Sequence, residues 1–414
     1  MAIPTSAEAN TDGSRCGLPL WGIIAASGLI VGTTGGLRQV VGLYMPPVSA
    51  SLGIGLEPFS TSMAVANLLW GIGGVVAGAI ADRVGAGRVT LAGLIFIIVG
   101  YYILYAAQSP SDLMWSGVSL GFGVGACGLT VLVGVVGRAA PPSRRTAAIA
   151  ALGIANGIGN FVAFPFTHLL METMGWRGSI LAVIATLLLL LPCVWLVSGK
   201  PSTSSDVKPQ SLRSAFNEAF RLPSYWLLVV GYSVCGFHVA FYAVHLPAYV
   251  ATLGLPSWVA VWALTAVGIA NIIGIIGTYI AGQSARYIEK RVALTIIYLV
   301  RCFVFLGLLY LPPSGITIIA LSTLLGFFWL ATIPLTSGLV ATFFGTAWLS
   351  MLFGFVLLSH QFGSFCGVWL AGVLFDLTKS YDAMWWISIG LSLCAAILHW
   401  PIREQPVPRL AAAA

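Results

Sequence analysis

The chain has 414 residues, 58% of them hydrophobic and 7% charged, with a formal charge of +7 at pH 7. Soluble domains carry about 25% charged residues. Composition therefore excludes a soluble enzyme, a nucleic-acid-binding module and a disordered chain, and points to a polytopic membrane protein. The seven cysteines are odd in number and sit mostly in apolar runs without C-x-x-C spacing, so they give neither a disulfide framework nor a metal site.

A bilayer core of about 30 Å is crossed by about 20 apolar residues in helical form. The apolar runs here are continuous rather than alternating, which predicts helices and not a closed barrel. Residues 1–18 contain Glu8 and Asp12 but one basic residue, Arg15, and lack the charged start of a cleaved signal peptide; they read as a cytoplasmic tail. Predicted spans at 19–46, 57–81, 88–107, 113–137, 145–171 and 178–199 form a first six-helix bundle, 19–199. The polar stretch 200–222 reads as a cytoplasmic linker with a short amphipathic helix from Leu212 to Phe220. Spans at 224–252, 256–282, 292–312, 314–345, 348–374 and 382–402 form a second bundle, 223–403, followed by a cytoplasmic tail, 404–414. The expected fold class is an all-α membrane protein with twelve transmembrane helices in two pseudo-symmetric bundles.

With both termini inside, 15 of the 19 Lys and Arg fall in cytoplasmic segments, while the outer loops hold Arg177 and Lys379. The net charge is then an orientation signal rather than a footprint for nucleic acid. The halves also repeat. Gly71, Gly74, Arg83 and Arg88 recur as Gly274, Gly277, Arg286 and Arg291 at an offset of 203 residues, with Ala285 opposite Asp82. Two six-helix halves with a site between them are a transporter architecture.

The loop Gly78-Ala-Ile-Ala-Asp82-Arg83-Val-Gly85-Ala-Gly-Arg88 resembles the G-x-x-x-D-R-x-G-R-R loop of the major facilitator superfamily. The resemblance implies two bundles that rock about a midplane site, with these residues as a cytoplasmic gate. Four further stretches resemble the bacterial monocarboxylate-porter-like branch: Gly35-Gly-Leu-Arg38-Gln-Val-Val-Gly-Leu-Tyr44, Cys235-Gly-Phe-His238-Val-Ala-Phe-Tyr-Ala-Val-His245-Leu-Pro-Ala, Phe328-Trp329-Leu-Ala-Thr-Ile-Pro334 and Ser359-His360-Gln361-Phe-Gly-Ser. Span 8 is uncharged from Trp258 to Gln283, so it has no match for the acid and arginine that these porters carry there.

All twelve Asp and Glu fall outside the spans or at their first residue. A proton relay built on a midplane carboxylate therefore has no candidate, and the other polar groups inside the spans carry the functional weight. Arg38, in span 1, offers a guanidinium fork for an anion; the alternative is snorkelling to the outer interface. Arg301, in span 9, reads as a structural contact to a carbonyl. His238 and His360 lie near mid-depth, where an imidazole can accept a proton in the physiological range, and Gln361 clusters with His360. His168, His245 and His399 read as interfacial. Asn156 pairs with His360 across the repeat, and Tyr242 and Trp329 are candidate cavity aromatics. The candidate substrate-binding set is Arg38, Asn156, His238, Tyr242, Trp329, His360 and Gln361, with His360 and His238 handling protons.

No G-x-x-x-x-G-K, H-E-x-x-H or G-x-S-x-G motif occurs, so neither an enzyme nor an ATPase is expected, and no cofactor. The expected function is gradient-driven, proton-coupled import of a small organic anion, a monocarboxylate, by a monomer in a bacterial inner membrane. The alternative is a permease for a larger, partly aromatic solute: an iron–siderophore of the pyochelin type, a peptidoglycan fragment or an exported drug.

Overall fold

The computed structural model describes residues 19–141, 145–197, 212–283, 289–329, 331–345 and 349–408. The expected tails 1–18 and 409–414, linker residues 200–211, Arg286 and the Asp82 side chain lie outside the described residues.

Fifteen helices are present among the described residues, and no strand. In the first half they are α1 (Leu20–Leu52), α2 (Glu57–Val84), α3 (Ala86–Ala106), α4 (Pro110–Cys127), α5 (Leu129–Ala139), α6 (Arg145–Leu188) and α7 (Leu191–Leu196). The short α8 (Leu212–Phe220) lies where the amphipathic helix was expected. The second half holds α9 (Pro223–Thr252), α10 (Ser257–Gln283), α11 (Lys290–Tyr310), α12 (Gly315–Phe327), α13 (Thr332–Phe344), α14 (Leu349–Thr378) and α15 (Asp382–His399).

Eleven helical stretches are long and apolar enough to cross a membrane, one fewer than the twelve spans expected. The difference lies in α6. At 1.5 Å per residue its 44 residues would run about 66 Å if straight, twice a bilayer core. Gly175 turns the chain at φ 69°, ψ 172°, a left-handed backbone that favours glycine, so α6 is two spans joined end to end.

Two other spans are broken. Span 4 is interrupted at Gly128, which is extended (φ −73°, ψ 175°) between α4 and α5. Span 10 is interrupted between Phe327 and Thr332, separating α12 from α13. The repeat offset of 203 carries Gly128 onto Ala331, inside the second break, so the interruption is itself part of the repeat.

Packing follows the same symmetry. Within the halves α1 packs on α6 and α2 on α4, as α9 packs on α14 and α10 on α12. The halves meet through α2 against α14, α6 against α10 and α1 against α9. Small residues let these helices approach closely: a Cβ at Gly159 would overlap the Gly32 carbonyl, and one at Gly236 the His360 carbonyl. Large apolar side chains such as Trp21, Leu189, Phe303 and Ile316 point outward, as a lipid-facing surface requires.

Candidate functional site

Arg38 sits half-buried on α1. Its Nη1 donates to Asn67 Oδ1 at 3.1 Å, its Nη2 to Gln39 Oε1 at 3.0 Å, and its guanidinium lies 4.2 Å above the Trp70 ring. Asn67 is in turn held by donating to the Met63 carbonyl at 3.0 Å. The arginine is thus clamped by neutral amides and a π face inside the protein, rather than reaching out to an interface. Trp70 also lines the break in span 4: its indole nitrogen lies 3.7 Å from where a Gly128 Cβ would stand.

Two more expected residues converge on this place. Asn156, on α6, lies against the bare backbone of Gly35, one turn of α1 before Arg38; a Cβ there would overlap its Oδ1. Gln361, on α14, packs its Cγ 2.6 Å from a Cβ position at Gly71, the residue after Trp70. His360 Nδ1 is 3.3 Å from Gln361 Oε1, and the half-buried imidazole lies 5.2 Å from the Tyr232 ring. Arg38, Asn156, His360 and Gln361 therefore gather where α1, α2, α6 and α14 meet between the halves.

The other expected residues lie elsewhere, inside the second half. His238 is sealed there, its Nε2 3.0 Å from the Ser388 carbonyl and its ring 4.7 Å from Phe305. Tyr242 shares a 2.6 Å hydrogen bond with Ser322 and meets Trp329 edge-on at 6.3 Å. Trp329 is 4% exposed. With them is Arg301, whose Nη2 donates to the carbonyls of Phe328 and Trp329 at 3.1 and 3.2 Å, in the break of span 10.

Two of the histidines read as interfacial are buried in the protein. His399 is buried and stacked on Tyr298 at 4.9 Å. His245 is buried deep in α9, with Nε2 3.2 Å from Ser60 Oγ and 3.1 Å from the Val368 carbonyl, and Nδ1 2.9 Å from Tyr381 Oη. α9 continues two turns past it, to Thr252, the end already expected for this span, so His245 lies inside the helix rather than at its end. His168 stays near a span end, 3.1 Å from Glu172.

Ser60 and His245 belong to a closure between the halves that the sequence did not announce. Asp376, near the end of α14, accepts hydrogen bonds from the backbone N–H groups of Leu56 and Glu57 at 3.0 and 2.8 Å. These are the first groups of α2, so a carboxylate of one half caps a helix of the other at the positive end of its dipole. Gly55 leaves room for it: a Cβ there would overlap the carboxylate.

At the opposite end α2 passes into α3 through Gly85 alone, at φ 97°. Arg83 and Arg88 are exposed there, and Gly78 has open space beside it. Among the described residues, the hydrogen bonds that join the two halves all lie at the Asp376 end.

The profile of the Major Facilitator Superfamily matches residues 27–348. An uncharacterized MFS-type transporter, YhjX of Escherichia coli (strain K12), is 28% identical over 336 residues, 78% of this chain and 81% of its own. Monocarboxylate transporter 13 of Rattus norvegicus is 24% identical over 344 residues, 81% of this chain and 74% of its own. Among solved structures, a bacterial homolog to the human lysosomal transporter Spinster, in an inward-facing and unoccupied conformation, superposes with a TM-score of 0.71 at 15% identity and covers 95% of each chain.

Proposed function

The chain belongs to the major facilitator superfamily, and from that premise we propose that it is a proton-coupled importer of a small monocarboxylate. It acts as a monomer in a bacterial inner membrane, with both termini inside. The observation that carries this reading is the clamp on Arg38. A guanidinium that cannot lose its charge is held at the meeting of the halves by amide oxygens alone. A carboxylate matches the guanidinium fork with two parallel hydrogen bonds and adds an opposite charge that the amides lack, so one entering the site displaces Asn67 and Gln39 from the fork. Asn156 and Gln361 stand close enough to orient the rest of a small molecule.

No acid lies near the middle of a span, so the proton falls to a histidine. His360 is half-exposed and beside Gln361, whereas His238 is sealed; the assignment favours His360. The superfamily relatives named as monocarboxylate transporters support the cargo class. A large flat solute would need Trp329 and Tyr242 as walls, and both are packed on each other inside one half. With the termini inside, the closed Asp376 end faces outward and the Arg83 end inward.

The test is uptake of radiolabelled pyruvate and lactate into proteoliposomes carrying the purified protein, with and without an inward proton gradient. Gradient-driven accumulation that is lost in Arg38→Gln is expected. Uptake indifferent to the gradient would remove the proton step, and undiminished uptake by Arg38→Gln would remove the anion clamp.

A further inference from the structure

We propose that Arg301 is a second anion station, built at the break of span 10, which takes the carboxylate of a small monocarboxylate within the second half. The proposal rests on the reading of the cargo as an organic anion and adds a place where it binds. Arg301 is 1% exposed, at mid-depth of α11, and makes no ion pair among the described residues. Buried charges are ordinarily paired. Here Nη2 is held by the Phe328 and Trp329 carbonyls, while Nε and Nη1 have no hydrogen-bond partner among the described residues. The carbonyls freed at the end of α12 and the Tyr298 ring, 5.2 Å from the guanidinium, fix its position without neutralising it.

The place matters as much as the charge. Interrupted helices at corresponding positions of two repeats mark the binding region of a transporter, and this chain has such a pair, at Gly128 and at residues 328–331. A guanidinium attends each break: Arg38 through Trp70 at the first, Arg301 directly at the second. The two arginines are not repeat mates in sequence, since they stand on spans 1 and 9. The fold has placed a cation at each break by different routes.

A connection to the shared cavity is also present. Cys235 lies beside both Arg301 and His360, and its Sγ is 3.6 Å from Thr332 Oγ1 at the start of α13. Tyr232 covers the same passage, its ring 5.2 Å from His360. The station is thus linked through Cys235 and Tyr232 to His360, the neighbour of Gln361. One turn further along α13, Thr336 Oγ1 is buried without a partner and supplies a further donor. At the break in span 10 the turn is held by the N–H groups of Phe328 and Trp329, which donate to the carbonyls of Leu325 and Gly326 at 3.2 and 3.0 Å.

The test is thermal stability of the purified full-length protein titrated with sodium pyruvate and, separately, sodium chloride, in gluconate buffer. Ligand bound to the native state raises apparent stability by mass action. Wild type is expected to respond to pyruvate, Arg38→Gln to keep part of that response, and Arg301→Gln combined with Arg38→Gln to lose it. Should Arg301→Gln not fold, Arg301→Lys in the Arg38→Gln background serves instead: the charge remains, so the residual response should persist with a pyruvate midpoint raised about tenfold or more. Complete loss of the pyruvate response in Arg38→Gln alone overturns the station. So does an Arg301-dependent response to chloride with none to pyruvate, which would make the site a resident halide site. An Arg301-dependent pyruvate response without any pyruvate uptake by proteoliposomes supports the station and overturns the importer, so the two readings fail separately.

Discussion

The two ends of the α2–α14 pair carry similar parts, and the contact at one of them is made. At one end the carboxylate of Asp376, on α14, caps the first N–H groups of α2, and the backbone of Gly42 lies against Ala243 and Val244 of the other half. At the other end α2 finishes with Asp82 and Arg83, near the level where α14 begins at Leu349. Each helix thus carries an aspartate near its C-terminal end and offers its N-terminus to the other. A carboxylate on a helix N-terminus contributes about 0.3–2 kcal/mol, enough to bias two states of a rocking bundle without locking either, and one such contact at each end suits a molecule that must close both in turn.

The largest effect expected from breaking this comparison is at Gly42. A Cβ there would come within 2.7 Å of the Ala243 carbonyl and 2.8 Å of Val244, so Gly42→Val prevents the close approach of α1 and α9. Overpacking costs about 1–3 kcal/mol, a shift of about 5–150-fold in the balance of states. Uptake into proteoliposomes should fall by about that range, and a cysteine placed at Gln39 should label faster from the Asp376 side. Unchanged labelling would mean that α1 and α9 do not form the closure. Asp376→Asn comes next. It keeps the size of the side chain and removes the charge, so the cap on Leu56 and Glu57 weakens by about 1 kcal/mol. The expected result is a roughly fivefold shift of the same labelling ratio, reduced further by salt in Asp376→Asn than Gly42→Val would allow. Ser60→Ala is the mildest change at this end: it deletes the 3.2 Å bond to His245 and leaves that ring on the Val368 carbonyl and Tyr381, for about 0.5–1.5 kcal/mol. A shift smaller than that of Asp376→Asn is expected, read by the same assay.

Much of this was legible before any coordinates. Apolar runs gave the spans, because a helix in lipid must be apolar all round, and the offset of 203 tied Gly71 to Gly274 and Arg83 to Arg286. The same uniformity hid which way each side chain faces. Trp329 and His238 are at mid-depth as expected, but a span apolar on every side has no stripe to say that they turn into the second half rather than toward Arg38. The breaks at Gly128 and 328–331 left one signal, the offset that superimposes them, and it was masked because helix 4 is rich in glycine throughout. Asp376 was passed over as an ordinary polar residue beyond a span. Its partners are 319 and 320 residues away in the chain, and nothing local in sequence announces such a contact. Arg38 and His360 were singled out because a charge or an imidazole in an apolar run is conspicuous wherever it points.

The Arg83 end gives the smallest effect and the sharpest control. Arg83 and Arg88 are exposed, and surface substitutions away from packed features usually change stability by no more than about 0.5 kcal/mol. Arg83→Gln should therefore leave the thermal midpoint of the protein unaltered, in contrast to Gly42→Val. If Asp82 and Arg83 serve the opposite closure, their contact exists only when this end shuts, and the substitution acts on that state alone. Arg83→Gln should then move the labelling ratio in the direction opposite to Asp376→Asn, and the double variant should lie between the two. Both single variants moving the ratio the same way would mean that the two ends are not alternatives of one rocking motion, and that the likeness between the halves of the α2–α14 pair is a relic of duplication rather than a working pair of latches.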